Sequence, residues 1–389
     1  MNKHSKPGGA HPGFFFAPKP ANKGGKMNEK IRVGVIGATG MVGQNYIRLL
    51  DNHPWFEVVY LAASPRSAGK KYRDAVAGRW QMSVDIPAPV RDIEVKDASN
   101  VDDAIGKCSL IFSAVDMEKQ AVAALESEYA SKGFAVVSNN SAHRHTDNVP
   151  MLIPEINAAH IEIIPEQRKR YGWDRGLIAV KPNCSIQSYM LPLYALLEAG
   201  YPVDKMIVTT LQALSGAGYP GPSAMDMIDN VVPYISGEEE KSEVEPGKIL
   251  GKIESGRFVP DESIKISAHC NRVAVIDGHI ACVSLHFSEK KPGIEEVIKI
   301  WEDFRAIPQE LELPSAPVRP LIYRPEIDRP QPRKDRDVDK GMAVSVGRLR
   351  PCNVFDYRFV GLHHNTVRGA AGGSILIAEL LKAKGYLTQ

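Results

Sequence analysis

The stretch Gly37-Ala38-Thr39-Gly40-Met41-Val42-Gly43-Gln44 constrains the fold of this chain more than any other. It follows a β-type run at 31–36 and precedes a helical stretch at 45–51 and a second β-type run at 56–62. Strand, glycine turn, helix and strand make one βαβ unit, whose strands are parallel. Gly37, Gly40 and Gly43 permit a tight turn and let the backbone approach a pyrophosphate at the helix N-terminus. Glycines alone would also serve a ligand-free turn; their placement between strand and helix favours a dinucleotide site. The alternation continues through strands at 109–114, 134–138 and 177–180 and a helix at 119–132. The expected fold is α/β: a Rossmann-like domain with a parallel sheet and helices on both faces.

The end of the second strand distinguishes the cofactors. An NAD site places an acid there for the ribose 2′-hydroxyl. This chain has Ala62-Ala63-Ser64-Pro65-Arg66-Ser67-Ala68-Gly69-Lys70-Lys71, with no acid. Ser64, Arg66 and Ser67 suit a 2′-phosphate, so NADP is favoured. The blander reading is a solvated basic loop.

The second half changes character. Residues 206–211 read as a strand, and 264–285 hold two β-type runs around Asp277-Gly278, a hairpin signal. An α+β domain with antiparallel strands is expected over 181–359, after a first domain over 27–180, and the C-terminus reads as a helix. Residues 313–340, dense in Pro and Arg, read as an extended arm. Residues 1–26, rich in Gly, Pro and Lys, read as a disordered leader.

Composition excludes several classes. A net charge of +2 over 389 residues argues against nucleic acid or a membrane surface as partner. No apolar run approaches the roughly 20 residues of a membrane helix. Five scattered cysteines fit a reducing, cytoplasmic setting better than a disulfide framework.

One of them has unusual surroundings. Cys184 lies in Lys181-Pro182-Asn183-Cys184-Ser185-Ile186-Gln187, just before a helical run at 189–197. A cysteine at a helix N-terminus meets free N–H groups that favour the thiolate, the attacking form. Such a nucleophile needs a proton partner and a substrate anchor. With a two-residue Asp277-Gly278 turn, Arg272 and His279 would share one face of a hairpin. Arg272 could then grip a carboxylate and His279 act as acid and base near neutral pH. An ordinary exposed hairpin is the alternative. A zinc site from His269, Cys270, His279, Cys282 and His286 is discounted, because their spacings fit no standard ligand pair; no metal is expected. Arg144, after a strand end, could bind an anion, and the charge run at 238–248 reads as a helix of no evident function.

"GATGMVGQ", "SNNSAHR", "PNCSIQ", "QALSGAGYPG", "EEEK", "GKILG" and "RVAVIDGH", in this order, resemble the aspartate-semialdehyde dehydrogenases, the archaeal and fungal type above all. The resemblance implies NADPH-dependent reductive dephosphorylation of L-4-aspartyl phosphate to L-aspartate 4-semialdehyde, in lysine, threonine and methionine biosynthesis. It implies that Cys184 is the nucleophile, His279 the acid/base and Gln212 a positioning residue. Arg272 would bind the substrate carboxylate and Glu238 its ammonium. Arg144, Asn183 and Lys241 would hold phosphate, with the register of Glu238 and Lys241 left open by three consecutive glutamates. Gly37, Thr39, Gly40, Met41 and Val42 would cradle the cofactor pyrophosphate. Ser64, Arg66 and Ser67 would meet its adenosine side, Ser215 and Gly216 its nicotinamide, and Asn365 would make a further contact. A homodimer or homotetramer is implied, with 181–359 the catalytic and dimerisation domain and a C-terminal helix within 360–389 completing the first domain, 27–180. Rival readings are a malonyl-CoA reductase or N-acetyl-glutamyl-phosphate reductase on the same scaffold, or a non-catalytic NADP-binding protein.

Overall fold

The computed structural model describes residues 30–387; the leader expected at 1–26 lies outside them. Six parallel strands, β1 (Ile31–Ile36), β2 (Phe56–Ala63), β3 (Lys96–Asp97), β4 (Leu110–Ser113), β5 (Ala135–Ser138) and β6 (Leu177–Val180), form the first sheet in the order β3-β2-β1-β4-β5-β6. β4, β5 and β6 are buried along their whole length. That is the pattern of strands covered by helices on both faces. The strand order reverses between β1 and β4, where such sheets open a ligand crevice at their C-terminal ends. Helix α1 (Met41–Leu49) starts directly after the glycine turn, earlier than the sequence suggested. The glycines do not delay it: Gly40 is the last non-helical residue. Helix α2 (Lys119–Ser131) crosses between β4 and β5, its start capped by the Glu118 carboxylate.

The second sheet is mixed, in the order β10-β7-β11-β14-β13-β12. Its strands are β7 (Val203–Gln212), β10 (Lys265–Arg272), β11 (His279–Phe287), β12 (Leu321–Arg324), β13 (Val344–Pro351) and β14 (Tyr357–His363). A separate small hairpin joins β8 (Lys252–Glu254) and β9 (Arg257–Val259). β7 alternates between buried and less buried residues, as expected of a sheet with one packed face. Helix α3 (Gln187–Glu198) and helix α5 (Ile294–Asp303) cover that face, with α4 (Glu238–Leu250) lying against β10. The Trp301 indole N–H reaches the Pro192 carbonyl at 3.0 Å and ties α5 to α3.

Two expectations need correction. β10 and β11 form no hairpin: β7 lies between them, parallel to β10 and antiparallel to β11. Asp277-Gly278 is a turn, but the chain crosses over β7 through it rather than folding back on itself. The second sheet is also not purely antiparallel, since β12 pairs parallel with β13. The Pro- and Arg-rich arm is mostly irregular, as read, but contributes β12 and a short helix, Pro332–Asp335.

The last helix, α6 (Gly372–Ala383), packs on α1 and β5 and is buried along most of its length. Its Glu379 carboxylate, fully buried, binds His53 at 2.8 Å and the Ser315 hydroxyl at 2.6 Å. The arm is thereby fixed across the first sheet's helices. No helix among the described residues is long and apolar enough to cross a membrane.

Candidate active site

Cys184 sits on the segment that leaves β6 for α3. The helix begins at Gln187, whose N–H reaches the Cys184 carbonyl at 3.3 Å. The thiol is therefore at the mouth of the helix rather than within its first turn. Its Sγ lies 3.5 Å from Nε2 of His279 and 3.7 Å from Oδ1 of Asn183. His279 opens β11, is fully buried, and accepts the Ala213 N–H on Nδ1 at 3.0 Å. That bond occupies the Nδ1 lone pair, so the neutral ring carries its proton on Nε2, facing the sulfur. Burial and the nearby Arg272 push the His279 pKa down to about 3. The ring is therefore neutral near pH 7 in this arrangement, with Nε2–H turned to the sulfur.

Crossing over β7 accomplishes what a hairpin would have done. Arg272 ends β10 opposite Gln212, which ends β7, while His279 starts β11 on the other side of that strand. Nη1 of Arg272 donates to the Ala213 carbonyl at 2.7 Å. One residue, Ala213, thus holds Arg272 by its carbonyl and His279 by its N–H. Gly216 lies above both. A Cβ there would stand 2.8 Å from Arg272 Nη1 and 3.1 Å from His279 Cε1.

Glu238, the first residue of α4, fixes the register that three glutamates left open. It is buried, and its Oε2 accepts Asn183 Nδ2 at 2.7 Å and Gln212 Nε2 at 3.1 Å. Lys241 Nζ meets Oε1 at 3.0 Å. Burial works against this carboxylate, but Lys241 and the Asn183 and Gln212 amides outweigh it and hold its pKa low. One face of the run from Glu238 walls the site, with Glu238, Ser242 and Glu245 buried, while Glu240, Glu243 and Val244 are exposed. Two more buried groups were missed in the sequence. Glu245 accepts the Asn183 N–H at 2.6 Å and pairs with Arg144 at 2.9 Å. It lies seven residues beyond Glu238, two turns along one helix face, and that spacing was the available signal. Lys181 is buried beneath the loop, its Nζ donating to the Pro182 carbonyl at 2.6 Å. Arg144 is more committed than expected, since Nε and Nη2 bind the Lys181 and Asn139 carbonyls.

Burial raises the Cys184 pKa, and Glu238 adds to the effect; Lys181, Arg144 and Arg272 pull the other way. Burial and Glu238 outweigh the three cations, and the thiol is held above its ordinary range.

At the sheet's crevice, Gly37 has φ +77° and a Cβ on it would fall 2.2 Å from the Ala114 carbonyl oxygen. The turn after β1 is therefore pressed against the end of β4. A Cβ on Gly43 would lie 2.3 Å from the Gly37 oxygen, so α1 starts hard against the turn. The first turn of α1 holds no acid, and Gly40 is exposed there. Thr39, Met41 and Val42 are partly exposed along the loop. The Ala38 N–H binds the Ala62 carbonyl at 3.0 Å, which places the turn Ser64–Ser67 beside the loop. Ser64 and Arg66 are exposed there and Ser67 is buried. An exposed N-terminus free of acids, with a serine and an arginine alongside, fits a phosphorylated dinucleotide. Asn365 is buried: its Nδ2 donates to Ser215 Oγ at 2.8 Å and its Oδ1 accepts the Gly278 N–H at 2.8 Å. It clamps the 214–217 turn to the 277–278 turn. Among the described residues, no three His, Cys, Asp or Glu side chains come together as metal ligands would.

A family model described as the semialdehyde dehydrogenase NAD binding domain matches residues 32–164, and one described as the semialdehyde dehydrogenase dimerisation domain matches 193–368. The chain is 44% identical over 363 residues to the aspartate-semialdehyde dehydrogenase of Trichophyton rubrum, covering 92% of this chain and 99% of that protein. It is 45% identical over 353 residues to the enzyme of that name from Methanothermobacter thermautotrophicus, covering 90% and 99%. The crystal structure of aspartate semialdehyde dehydrogenase with NADP from Candida albicans matches with a TM-score of 0.83 at 41% identity, over 92% of this chain and 100% of that one.

Proposed function

The chain belongs to the aspartate-semialdehyde dehydrogenase family, and from that premise we propose that it reduces L-4-aspartyl phosphate to L-aspartate 4-semialdehyde through Cys184. The observation that carries this reading is the Sγ–Nε2 approach of 3.5 Å, made beside a buried Arg272 and a buried Glu238.

Arg272 spends one nitrogen on the Ala213 carbonyl, and the rest of its guanidinium takes the substrate α-carboxylate. Glu238 takes the α-ammonium. Its negative charge is the strongest neighbouring charge holding the Cys184 thiol protonated, so an ammonium docked on it favours the thiolate. Substrate thereby helps to activate its own nucleophile. Lys241, Asn183 and Arg144 hold the phosphate. The Cys184 thiol gives up its proton as its sulfur attacks the acyl carbon, the C–O bond to phosphate breaks with its electron pair on oxygen, the departing phosphate takes the proton, and a thioester remains on Cys184.

NADPH, when bound, supplies the hydride that reduces the thioester carbon. Gly37, Thr39, Gly40, Met41 and Val42 hold its pyrophosphate, Ser64, Arg66 and Ser67 its adenosine phosphate, and Ser215 and Gly216 border the nicotinamide. Nε2–H of His279 donates to the oxygen that gains negative charge, as a preorganised donor. Gln212 holds the carbonyl side of the intermediate in place. The oxyanion re-forms its double bond, the C–S bond breaks towards sulfur, and Cys184 returns as thiolate. The sulfur then regains its proton, with His279, the acid/base residue in this reading, 3.5 Å away to relay it.

Residues 30–180 with 360–387 form the nucleotide-binding unit in this reading and 181–359 the catalytic one. The enzyme works as a cytoplasmic homodimer or homotetramer, a reading supported by the match to a dimerisation domain. The test is NADPH absorbance with purified protein, NADP⁺, phosphate and L-aspartate 4-semialdehyde. Phosphate-dependent NADPH formation is expected; its absence refutes the assignment.

A further inference from the structure

His363 is a second histidine at the heart of the molecule with no role so far. It ends β14, directly opposite His279 in the ladder, and both side chains are 0% exposed. The rings are perpendicular, with centroids 5.7 Å apart. Neither ring nitrogen of His363 has a hydrogen-bond partner. A buried polar atom without a partner costs free energy, and an apolar ring would fill the same space without that cost.

Gly369 shows where one of these nitrogens points. A Cβ on Gly369 would lie 3.0 Å from Cys184 Cβ and 3.0 Å from His363 Nε2. Both atoms border the same small gap, which only glycine leaves open, and they are at most about 6 Å apart. We propose that His363 is a positioning residue for the nucleophile: its Nε2–H faces Cys184 across the notch at Gly369 and steadies the thiolate. The inference rests on Cys184 being the nucleophile.

The surroundings suit a neutral donor. Lys181, Arg368, His279 and His364 face His363 from the Cys184 loop, the segment after β14 and β11. Burial first, then His279, Arg368 and Lys181, keep its pKa well below the ordinary value. A neutral imidazole always carries one N–H. With both nitrogens unpartnered, neither tautomer is fixed in advance, and a negative sulfur selects Nε2–H. The sulfur already has one imidazole at 3.5 Å, that of His279; in this proposal the thiolate draws on a second, His363, from across the notch at Gly369. The groups facing the thiol are His279, Glu238, Lys181, Arg144 and Arg272. Of these only Glu238 opposes the thiolate.

The test is the pH dependence of Cys184 alkylation by iodoacetamide, read on the Cys184 peptide by mass spectrometry, together with kcat and KM. In His363→Phe the ring volume remains but the donor is lost. The thiol midpoint should rise by about one pH unit, alkylation at pH 7 should fall about tenfold, and kcat should fall with KM nearly unchanged. His363→Gln, with an amide N–H near the Nε2 position, should recover most of the shift. Gly369→Ala, which fills the notch while keeping the histidine, should raise the midpoint as well, and serves if the His363 variants do not fold. An unshifted thiol titration in folded His363→Phe or Gly369→Ala overturns the proposal, even if the melting temperature drops. Cys184→Ser separates the two readings: persistent turnover there sinks the nucleophile assignment itself, whereas an inactive Cys184→Ser beside an unshifted His363→Phe sinks only this inference.

Discussion

Replacing Glu245 by glutamine removes a charge and an acceptor from beneath the segment that carries Cys184. The native carboxylate is fully buried and divides its oxygens: Oε1 takes Arg144 Nη1 and Oε2 takes the Asn183 N–H. An amide has one acceptor for two donors, so its NH₂ must face one of them. The Arg144 guanidinium, whose side chain is only 8% exposed, also loses its counter-charge. Breaking a buried pair from one side costs about 3–5 kcal/mol. Arg144→Met in the glutamine background removes the orphaned charge. The double variant should then be less destabilised than the two single changes predict, with a coupling of about 2 kcal/mol. Urea unfolding of the four proteins measures it, with Cys184 alkylation reporting on the loop. The loop should be loosened in Glu245→Gln, with kcat reduced and NADPH binding intact. Single effects that add to within about 0.5 kcal/mol would refute the shared-carboxylate account.

Other outcomes follow from the same geometry. Cys184→Ala should abolish turnover while leaving NADPH binding by fluorescence intact; lost binding in a folded variant would contradict a purely chemical role. Glu238→Gln should speed alkylation of Cys184, because the charge that raises its pKa is gone, yet lower kcat/KM by about 100-fold through the lost ammonium contact. Slower alkylation would overturn the activation argument. Arg66→Ala should lower kcat/KM for NADPH about tenfold or more and leave that for NADH unchanged; an equal loss with both would remove Arg66 from the 2′-phosphate site. Lys181 is pushed down to about 7 by burial, so the folded chain releases this proton well below the unfolded lysine's pKa. Between those two pKa values the unfolded state binds more protons, and stability rises with pH. Urea midpoints from pH 7 to 10 should therefore climb less steeply in Lys181→Met than in the native chain, and parallel slopes would refute it.

What the sequence disclosed depended on the range of each signal. The glycine turn and the strand–helix alternation are local, and five of the first sheet's six strands follow them; β3, two residues long, carries no such signal and was not read. Asp277-Gly278 is local too, and it misled. The dipeptide makes a turn, but sheet order depends on which strand arrives between, and β7 precedes the turn by more than sixty residues in the chain. Cys184, Arg272 and His279 were nevertheless found by residue type and setting, because a crossing over one strand delivers the same neighbours as a hairpin. Glu245 was missed because a charged residue in a charged stretch looks solvated until burial is known, and Lys181 because a lone lysine at a strand end is ordinarily taken to reach solvent. His363 drew no reading at all, because nothing in the local sequence marks a histidine as buried and without a partner.

The chain passes between its two sheets twice, at 181–186 on the way out and at 364–371 on the way back. The outgoing strand of this double spine bears Asn183 and Cys184; the returning one bears Asn365, Arg368 and Gly369. Arg368 fastens it, with Nη1 bound to the Glu155 carboxylate and the Met342 carbonyl. The two crossings meet at the nucleophile, where only the missing side chain of Gly369 separates its backbone from the Cys184 Cβ. The atom whose position the chemistry can least afford to vary is thus held from two sides by the same chain.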